Sequence, residues 1–219
     1  MNAFAPTLSV RLPDMKRYSL GVIPFRPARS ARLALPFAAS PDMRAAQISV
    51  FPEFASVQPF PHERWRDLGA FRPSVLVGYG LDLQRLAEKV AKDDFELRTI
   101  DHAIFALTDC GSAPVSDVLR VTLWQRFGVP VYELIVAPGC RLLAFECEAH
   151  DGWHVADNAV PYLVMGELVC DFPPLANLHT DFSGQINPKP CACGRRSVRL
   201  KNLAPHIRKP YEHPLAAIA

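Results

Sequence analysis

The chain has 219 residues, of which 49% are hydrophobic and 21% are charged, and its formal net charge is +2. This length and composition can build a substantial core and exclude an intrinsically disordered protein, and no apolar run is long enough to span a membrane. The six cysteines are spread along the chain and lack the density of a secreted disulfide scaffold, so a reducing cytoplasm is the expected location.

Charge is unevenly distributed along the chain. Residues 1–44 carry seven Lys/Arg against two Asp/Glu, residues 45–188 carry ten against nineteen, and residues 189–219 carry seven against one. Basic ends around an acidic body are compatible with nucleic-acid contact. No helix-turn-helix or aromatic RNA-binding motif accompanies them. The sequence therefore favours ends that are solvated or packed on the acidic body, and nucleic acid is not an expected partner.

The first two thirds of the chain predict an extended arm and then a parallel α/β layer. Residues 1–44 show little periodicity and read as a basic extended arm, with residues 18–25 as its best candidate strand. From residue 45 apolar runs alternate with amphipathic stretches. The predicted strands are 48–51, 75–77, 102–107 and 129–136, and the predicted helices are 81–92 and a segment capped by Ser116 that ends near 126. This alternation predicts βαβ units with right-handed crossovers over residues 45–140.

After residue 140 the pattern changes to short strands without helices between them. The predicted strands are 142–146, 153–155, 162–164 and 167–170. They indicate a small antiparallel sheet or barrel over residues 141–200, followed by a basic tail at 201–219. The fold class is therefore α/β, a parallel βαβ layer followed by an antiparallel β subdomain. Three aromatic residues are assigned to packing and not to ligand stacking: Trp65, Trp124 and Trp153.

The antiparallel unit carries two segments of soft metal ligands. They are Glu146-Cys147-Glu148-Ala149-His150-Asp151-Gly152-Trp153-His154 and Cys191-Ala192-Cys193-Gly194-Arg195. Thiolate and imidazole suit zinc, and four such groups could close a tetrahedral structural site. The predicted ligands are Cys147, His154, Cys191 and Cys193, since a turn at residues 151–152 would bring the histidine back toward the first cysteine.

Two alternatives to this ligand set stay open. His150 is the rival fourth ligand. The Cys-x-Cys spacing is also tighter than the two to four intervening residues usual in zinc knuckles, so spacing alone does not establish a metal. Reduced, partly buried cysteines and surface histidines without metal are the other interpretation.

These segments, with others upstream, carry a family resemblance. The matching stretches are Phe71-Arg72-Pro73-Ser74-Val75-Leu76-Val77-Gly78-Tyr79, Gly111-Ser112-Ala113-Pro114-Val115-Ser116, Arg126-Phe127-Gly128-Val129-Pro130-Val131-Tyr132, Phe145-Glu146-Cys147, Asp151-Gly152-Trp153-His154-Val155, Gly166-Glu167-Leu168-Val169 and Cys191-Ala192-Cys193-Gly194-Arg195. In this order they resemble the phenylacetate-CoA ligase and coenzyme F390 synthetase-like branch of the adenylate-forming (AMP-binding) enzymes, over about residues 45–200. The resemblance implies part of the large N-terminal domain of those enzymes. It also implies a structural zinc at the Cys, His and Cys-x-Cys positions.

Several catalytic features of that family have no counterpart in this sequence. No segment has the composition of the family's Ser/Thr/Gly-rich phosphate-binding loop. The family has a Tyr-Gly-x-Ser/Thr-Glu stretch whose glutamate helps to hold magnesium, and the corresponding stretch Tyr132-Glu133-Leu134-Ile135-Val136 has no glutamate at the matching place. The family's turn glutamate is replaced by Ala113. The arginine of its ribose and phosphate block is also missing, which leaves Asp181 as the possible ribose carboxylate. The family continues into a mobile C-terminal domain with the catalytic lysine, whereas this sequence stops shortly after Arg196.

These differences predict a chain that does not catalyse acyl adenylation alone. That chemistry depends on positioning and charge stabilisation by the missing groups. We expect a pseudoenzyme with an accessory role, a structural zinc, no catalytic residue and doubtful ATP or AMP binding at Asp181. A protein partner or a second copy of the chain is expected. The alternative is one part of a split AMP-forming acyl/aryl-CoA ligase that needs a partner chain. Cys110 and His102 are not assigned as nucleophile and base, because no third, orienting residue is identifiable.

Overall fold

The computed structural model describes residues 35–36, 43–50, 52, 54–92, 97, 99–138, 141–173 and 175–206, with only the backbone of Phe172 and Leu175. The predicted arm strand at 18–25, nearly all of the predicted arm, Cys140 and residues 207–219 of the predicted tail lie outside these ranges. Within them, the helices are too short or too polar to cross a lipid bilayer.

The described residues form eleven strands and four helical segments. The strands are β1 (Ala45–Gln47), β2 (Val57–Pro59), β3 (Val75–Tyr79), β4 (Ala103–Asp109), β5 (Val131–Ala137), β6 (Arg141–Glu146), β7 (Trp153–Val155), β8 (Val160–Val164), β9 (Glu167–Phe172), β10 (Leu175–Asn187) and β11 (Arg199–Pro205). The helical segments are a 3₁₀ helix (His62–Asp67), α1 (Leu68–Phe71), α2 (Gly80–Ala91) and α3 (Asp117–Phe127).

All of the described strands join one mixed sheet, in the order β2-β1-β3-β4-β5-β6-β7-β11-β10-β9-β8. Neighbours from β2 to β5 are parallel, with α2 and α3 as crossovers. Neighbours from β5 to β8 are antiparallel. The predicted α/β class is confirmed. The antiparallel strands continue the parallel sheet, because β6 pairs directly with β5.

Helix α3 begins and ends where its sequence signals predict. The Ser116 side chain accepts a hydrogen bond from the backbone N–H of Leu119 (3.3 Å), which satisfies an orphan donor of the first turn. Gly128 ends the helix in the left-handed region (φ 72°) and donates to the Trp124 carbonyl. Only Leu123 of α3 is fully buried. Trp124 is 59% exposed on this helix, so the packing role predicted for it does not extend to the core.

Alternating side chains of the parallel strands fill two cores, one on each face of the sheet. Leu76 and Ile104 pack on the helical side, where α2 contributes Leu83 and Leu86. Their chain neighbours lie in a second cluster on the opposite face, as the two-residue period of a strand requires. A third cluster, which includes Phe182, packs along the antiparallel strands. Burial on both faces explains why the parallel strands read as continuous apolar runs.

Several segments differ from the sequence prediction, including strand β2 and the helical segments at residues 62–71, which were not predicted. The first strand is Ala45–Gln47 and not 48–51, because Ile48 makes one further bond to the Val77 carbonyl and the chain then bends at Ser49. Strands β10 and β11 were not predicted, since their residues lack a clear apolar alternation. Strand β11 runs to Pro205, so residues 201–205 of the predicted tail lie in the sheet.

Candidate metal centre

The structure brings the four predicted metal ligands together. The ligand atoms of Cys147, His154, Cys191 and Cys193 all lie within 4.8 Å of one another. Cys147 follows β6, His154 lies in β7, and the two other cysteines lie in the loop between β10 and β11. The first three of these residues are buried.

A β-hairpin places the first two ligands. In the pairing of β6 with β7, Phe145 and His154 are cross-strand partners, and their rings stack with centroids 5.6 Å apart. The connecting loop starts with a turn in which the His150 N–H donates to the Cys147 carbonyl (2.9 Å). Gly152 has φ +90°, a conformation that favours glycine. The predicted turn before His154 therefore has its physical basis in this glycine.

A tight turn places the other two ligands. The Gly194 N–H donates to the Cys191 carbonyl (3.0 Å), and the Cys191 N–H donates to the Arg195 carbonyl (3.2 Å). Gly194 has φ +85°. This turn directs Cys191 and Cys193 toward the same cluster although one residue separates them. The unusual Cys-x-Cys spacing is thus compatible with a shared site.

Two ligand-atom distances within the cluster are close to the edges of a tetrahedral zinc site. The Sγ atoms of Cys147 and Cys191 are 3.7 Å apart, and Cys193 Sγ is 3.4 Å from His154 Nε2. With Zn–S bonds of about 2.3 Å and a Zn–N bond of about 2.0 Å, a regular tetrahedron has S–S edges of about 3.8 Å and S–N edges of about 3.5 Å. Three thiols and an imidazole are also donors that zinc prefers.

His154 is oriented and held neutral, as a zinc ligand must be. Its Nδ1 lies 2.8 Å from Ser197 Oγ, which leaves Nε2 facing Cys193. Burial lowers the pKa of His154, and the positive charges of Arg195 and Arg199 lower it further. A neutral ring that donates from Nδ1 to Ser197 presents its Nε2 lone pair to the cluster. Ser197 was not predicted from the sequence.

Cys147 is a protonated thiol when no metal is bound. Burial raises the pKa of its thiol to about 12, and the neighbouring thiols Cys193 and Cys191 add to this rise. Metal binding must therefore release this proton at neutral pH.

His150, the rival fourth ligand, has a different position. Its ring stacks on Tyr132, with centroids 5.1 Å apart and an interplanar angle of 9°. It is not a member of the four-residue cluster. The hairpin register determines which of the two histidines faces the cysteines, and this register could not be predicted from the sequence alone.

Asp181, the predicted nucleotide contact, lies beside the turn that follows β4. A Cβ atom placed on Gly111 (φ +88°) would lie 3.3 Å from Asp181 Oδ2. The Gly111 N–H donates to the Thr180 carbonyl (2.8 Å), which fixes this approach. The next residue, Ser112, lines a cleft of about 340 Å³ at the carboxyl ends of β3 and β4. Ligands of open α/β sheets bind at such strand ends.

The rejected pair of Cys110 and His102 lies at opposite ends of one strand. His102 precedes β4 and pairs with Asp101 at 2.5 Å, whereas Cys110 follows the same strand. Seven strand residues span about 23 Å, too far for proton transfer. Burial raises the pKa of Cys110 to about 12, so it is a poor nucleophile.

A buried charge network, not predicted from the sequence, lies on the other face of the hairpin. Arg120 of α3 donates to Glu133 Oε2 (2.9 Å) and to Glu146 Oε2 (2.7 Å). The backbone N–H of Glu133 also donates to Glu146 Oε2 (2.7 Å). Both carboxylates are buried. The sequence signal was present, since Glu133 interrupts the apolar strand β5 and Glu146 ends the apolar strand β6.

Glu133 accepts further hydrogen bonds that link the hairpin to the cleft. They come from the Thr108 hydroxyl (2.5 Å), the Val115 N–H (2.8 Å) and Trp153 Nε1 (3.2 Å). Burial raises the pKa of Glu133, although Thr108, Val115 and the charge of Arg120 offset part of the rise. Its oxygens are therefore committed to internal contacts.

Solved structures of ligases share this fold. The structure of 2-hydroxyisobutyryl-CoA ligase in complex with 2-HIB-AMP and CoA in the thioesterification state has a TM-score of 0.62 and 14% identity, and the match covers 77% of this chain and 44% of that chain. Coronafacic acid ligase from Pectobacterium brasiliense has a TM-score of 0.51 and 11% identity, with 75% of this chain and 40% of that chain covered. The sequence matches no protein-family model and no curated protein.

The chain therefore shares the fold of part of these two ligases, and it spans less than half of their length. The fold that the resemblance implies is therefore confirmed, whereas membership of the adenylate-forming superfamily stays a prediction. Assignment to the phenylacetate-CoA ligase branch stays a prediction.

Proposed function

We propose that the protein is a zinc-containing accessory or binding protein, built on part of the fold of adenylate-forming CoA ligases and without ligase activity alone. The observation that carries the zinc assignment is the convergence of three thiols and one imidazole within 4.8 Å. Four protein ligands complete a tetrahedron and leave no position for a reactive water. The metal's role is therefore structural, and it ties the β6–β7 hairpin to the loop between β10 and β11.

The acidic residues near the cleft already accept hydrogen bonds from other groups of the protein, and this supports an accessory role. Nucleotidyl transfer needs carboxylates that can hold magnesium. Glu133 accepts four side-chain and backbone hydrogen bonds and is fully buried. Asp109 accepts a hydrogen bond from the Tyr79 hydroxyl (2.7 Å). In these contacts the carboxylates bind other groups of the protein. This favours a structural role for them over the binding of magnesium and a triphosphate.

Carboxylate-dependent exchange of pyrophosphate into ATP tests this proposal. The zinc-loaded chain is assayed with magnesium and a panel of aliphatic and aryl carboxylates, and we expect no exchange above that of the heat-treated protein. Exchange that depends on the carboxylate would contradict the accessory role, while leaving the zinc assignment to be judged by metal analysis.

One observation favours a second candidate, a component of a split AMP-forming ligase. The Asp181 carboxylate lies next to the Gly111 turn, whose neighbour Ser112 lines the cleft. Calorimetry with AMP and with magnesium–ATP distinguishes this candidate. Saturable AMP binding that is weakened at least about tenfold by Asp181→Asn would favour it, since a lost charged hydrogen bond is worth about 1.5–3 kcal/mol. No AMP binding by the wild type would favour the accessory role.

A further inference from the structure

One buried arginine joins the two loops that carry the cluster. Arg199 is 2% exposed. Its Nη1 donates to the Asp151 carbonyl (2.9 Å) and to the Asp151 carboxylate, and its Nη2 donates to the carbonyls of Lys189 (3.1 Å) and Pro190 (3.2 Å). Asp151 belongs to the hairpin loop between the first two ligands. Lys189 and Pro190 immediately precede the Cys-x-Cys turn, so one side chain bridges both ligand loops.

The sheet register also places this arginine next to the cluster. Arg199 and His154 are cross-strand partners in the pairing of β11 with β7, so their side chains lie on the same face. The guanidinium is close enough for its charge to interact with Cys191 and Cys147. Arg195 is a second cation whose charge acts on His154.

The positive charge of Arg199 would also compensate the negative charge of a zinc-loaded cluster. Zinc with three thiolates and a neutral imidazole carries one excess negative charge. A buried charge is unfavourable unless an opposite charge compensates it. Arg199 also keeps its own Nε without a hydrogen-bond partner among the described atoms. Its burial is unfavourable in isolation, and its contacts with both loops and with the thiolate charge offset that cost.

We propose that Arg199 is the positioning residue that sets the metal affinity of the Cys147, His154, Cys191 and Cys193 cluster. It holds the two loops at ligand spacing before the metal enters, and it balances the negative charge of the thiolates afterwards. The inference rests on the proposed zinc site. Lysine would keep the charge but lacks the planar fork that bonds several oxygens at once.

Zinc affinity, measured by competition with a chromophoric chelator under reducing conditions, tests this role. The variants are Arg199→Met, Arg199→Lys and, as the control, Lys201→Met. Lys201 binds the same Asp151 carboxylate, and among the described contacts it does not bridge to the Cys-x-Cys loop. We expect Arg199→Met to weaken zinc binding about 10- to 100-fold and Arg199→Lys to be intermediate. Lys201→Met should change affinity less than about threefold.

Cobalt(II) substitution distinguishes the loss of a ligand from the loss of a positioning residue. Loss of a ligand would change the absorption spectrum of the bound cobalt, whereas loss of a positioning residue would not. The arginine variants should keep the absorption bands of a tetrahedral cobalt–thiolate site at saturating metal, despite their weaker affinity. An Arg199→Met affinity within about threefold of wild type would overturn the inference.

The remaining outcomes are also decisive. If Arg199→Met does not fold, unchanged zinc affinity in both Arg199→Lys and Asp151→Asn overturns the inference, and a reduction in both supports it. A wild-type chain that takes up neither zinc nor cobalt overturns the proposed site itself. That result is distinct from a metal-binding wild type whose arginine variants bind equally well.

Discussion

The Sγ atoms of Cys147 and Cys191 lie 3.7 Å apart, although 44 positions separate them in the chain. One atom belongs to the end of the β6–β7 hairpin and the other to the loop between β10 and β11. A metal held by both loops cross-links strands that are distant in sequence. Because the unfolded chain does not hold this spacing, the free energy of binding a metal at the cluster would contribute to the free energy of folding of the antiparallel strands.

Removing the hydroxyl that orients the histidine should weaken metal binding. We expect Ser197→Ala to reduce zinc affinity about 10-fold while the fold is retained, because His154 Nδ1 loses its partner at 2.8 Å. Chelator competition measures the effect. Ser183→Ala is the matched control, since its hydroxyl bonds the Ala204 carbonyl away from the cluster. Equal affinities for both variants would contradict the proposed role of Ser197.

Alanine substitutions at two glycines with positive φ distinguish the cost of backbone strain from the cost of a steric clash. A Cβ at Gly152 would lie 2.3 Å from the Leu200 carbonyl oxygen, whereas a Cβ at Gly128 would meet nothing within 4 Å. We expect Gly128→Ala to cost about 1 kcal/mol of unfolding free energy through strain alone. Gly152→Ala should cost at least about 3 kcal/mol, because the strands β7 and β11 must separate. Urea unfolding of the two variants compares them, and equal losses would contradict the close approach.

Truncating Arg120, the partly buried arginine of the second network, should destabilise the fold strongly. Arg120→Met leaves Glu133 and Glu146 buried without their cation, for an expected loss of about 3–5 kcal/mol. Arg64→Met removes an exposed pair with Asp67 and should cost no more than about 1 kcal/mol. Denaturant unfolding at neutral pH provides the comparison. A loss below about 1 kcal/mol for Arg120→Met would show that the network is not a stabilising unit.

Stability should fall above pH 9 because of a buried thiol. Burial raises the pKa of Cys170 from 9.0 to about 12. The unfolded chain therefore loses this proton first as pH rises, and folding becomes less favourable by about 1.4 kcal/mol per pH unit between pH 9 and 12. In Cys170→Ala the decrease of unfolding free energy with pH should be smaller than in wild type by about 1.4 kcal/mol per pH unit.

The control for this titration is Val169→Ala in the same strand, which removes buried volume without removing a titrating group. It should lower stability equally at pH 8 and pH 10.5. Parallel stability curves for Cys170→Ala and wild type across this range would contradict the raised pKa.

The part of the candidate site that could be predicted from the sequence depends on the chemistry of single residues. Soft ligand atoms near turn residues indicate Cys147, Cys191, Cys193 and His154, and the structure brings these four side chains together, while their role as metal ligands stays a prediction. The βαβ elements were also found, because buried parallel strands are apolar runs and Ser116 and Gly128 mark the ends of α3. His154 could not be separated from His150 until the hairpin register was known.

The parts that were missed depend on tertiary contacts between polar residues. Arg199 and Glu133 are charged, and charged residues are expected at the surface unless a partner is known. Their partners are backbone carbonyls and side chains from other elements. Strand β10 contains Ser183 and Gly184, so neither composition nor periodicity marks it as a strand. Such features depend on contacts made in the folded chain, and no local sequence pattern indicates them.

The zinc content of the purified protein tests the central claim most directly. Metal analysis and thermal unfolding are measured under reducing conditions for wild type, Cys147→Ser, Cys193→Ser and Cys110→Ser, the last being a cysteine outside the cluster. We expect about one zinc per chain in wild type and Cys110→Ser, and loss of both zinc and stability in the two cluster variants. A metal-free wild type with the same unfolding temperature as Cys147→Ser and Cys193→Ser would contradict it.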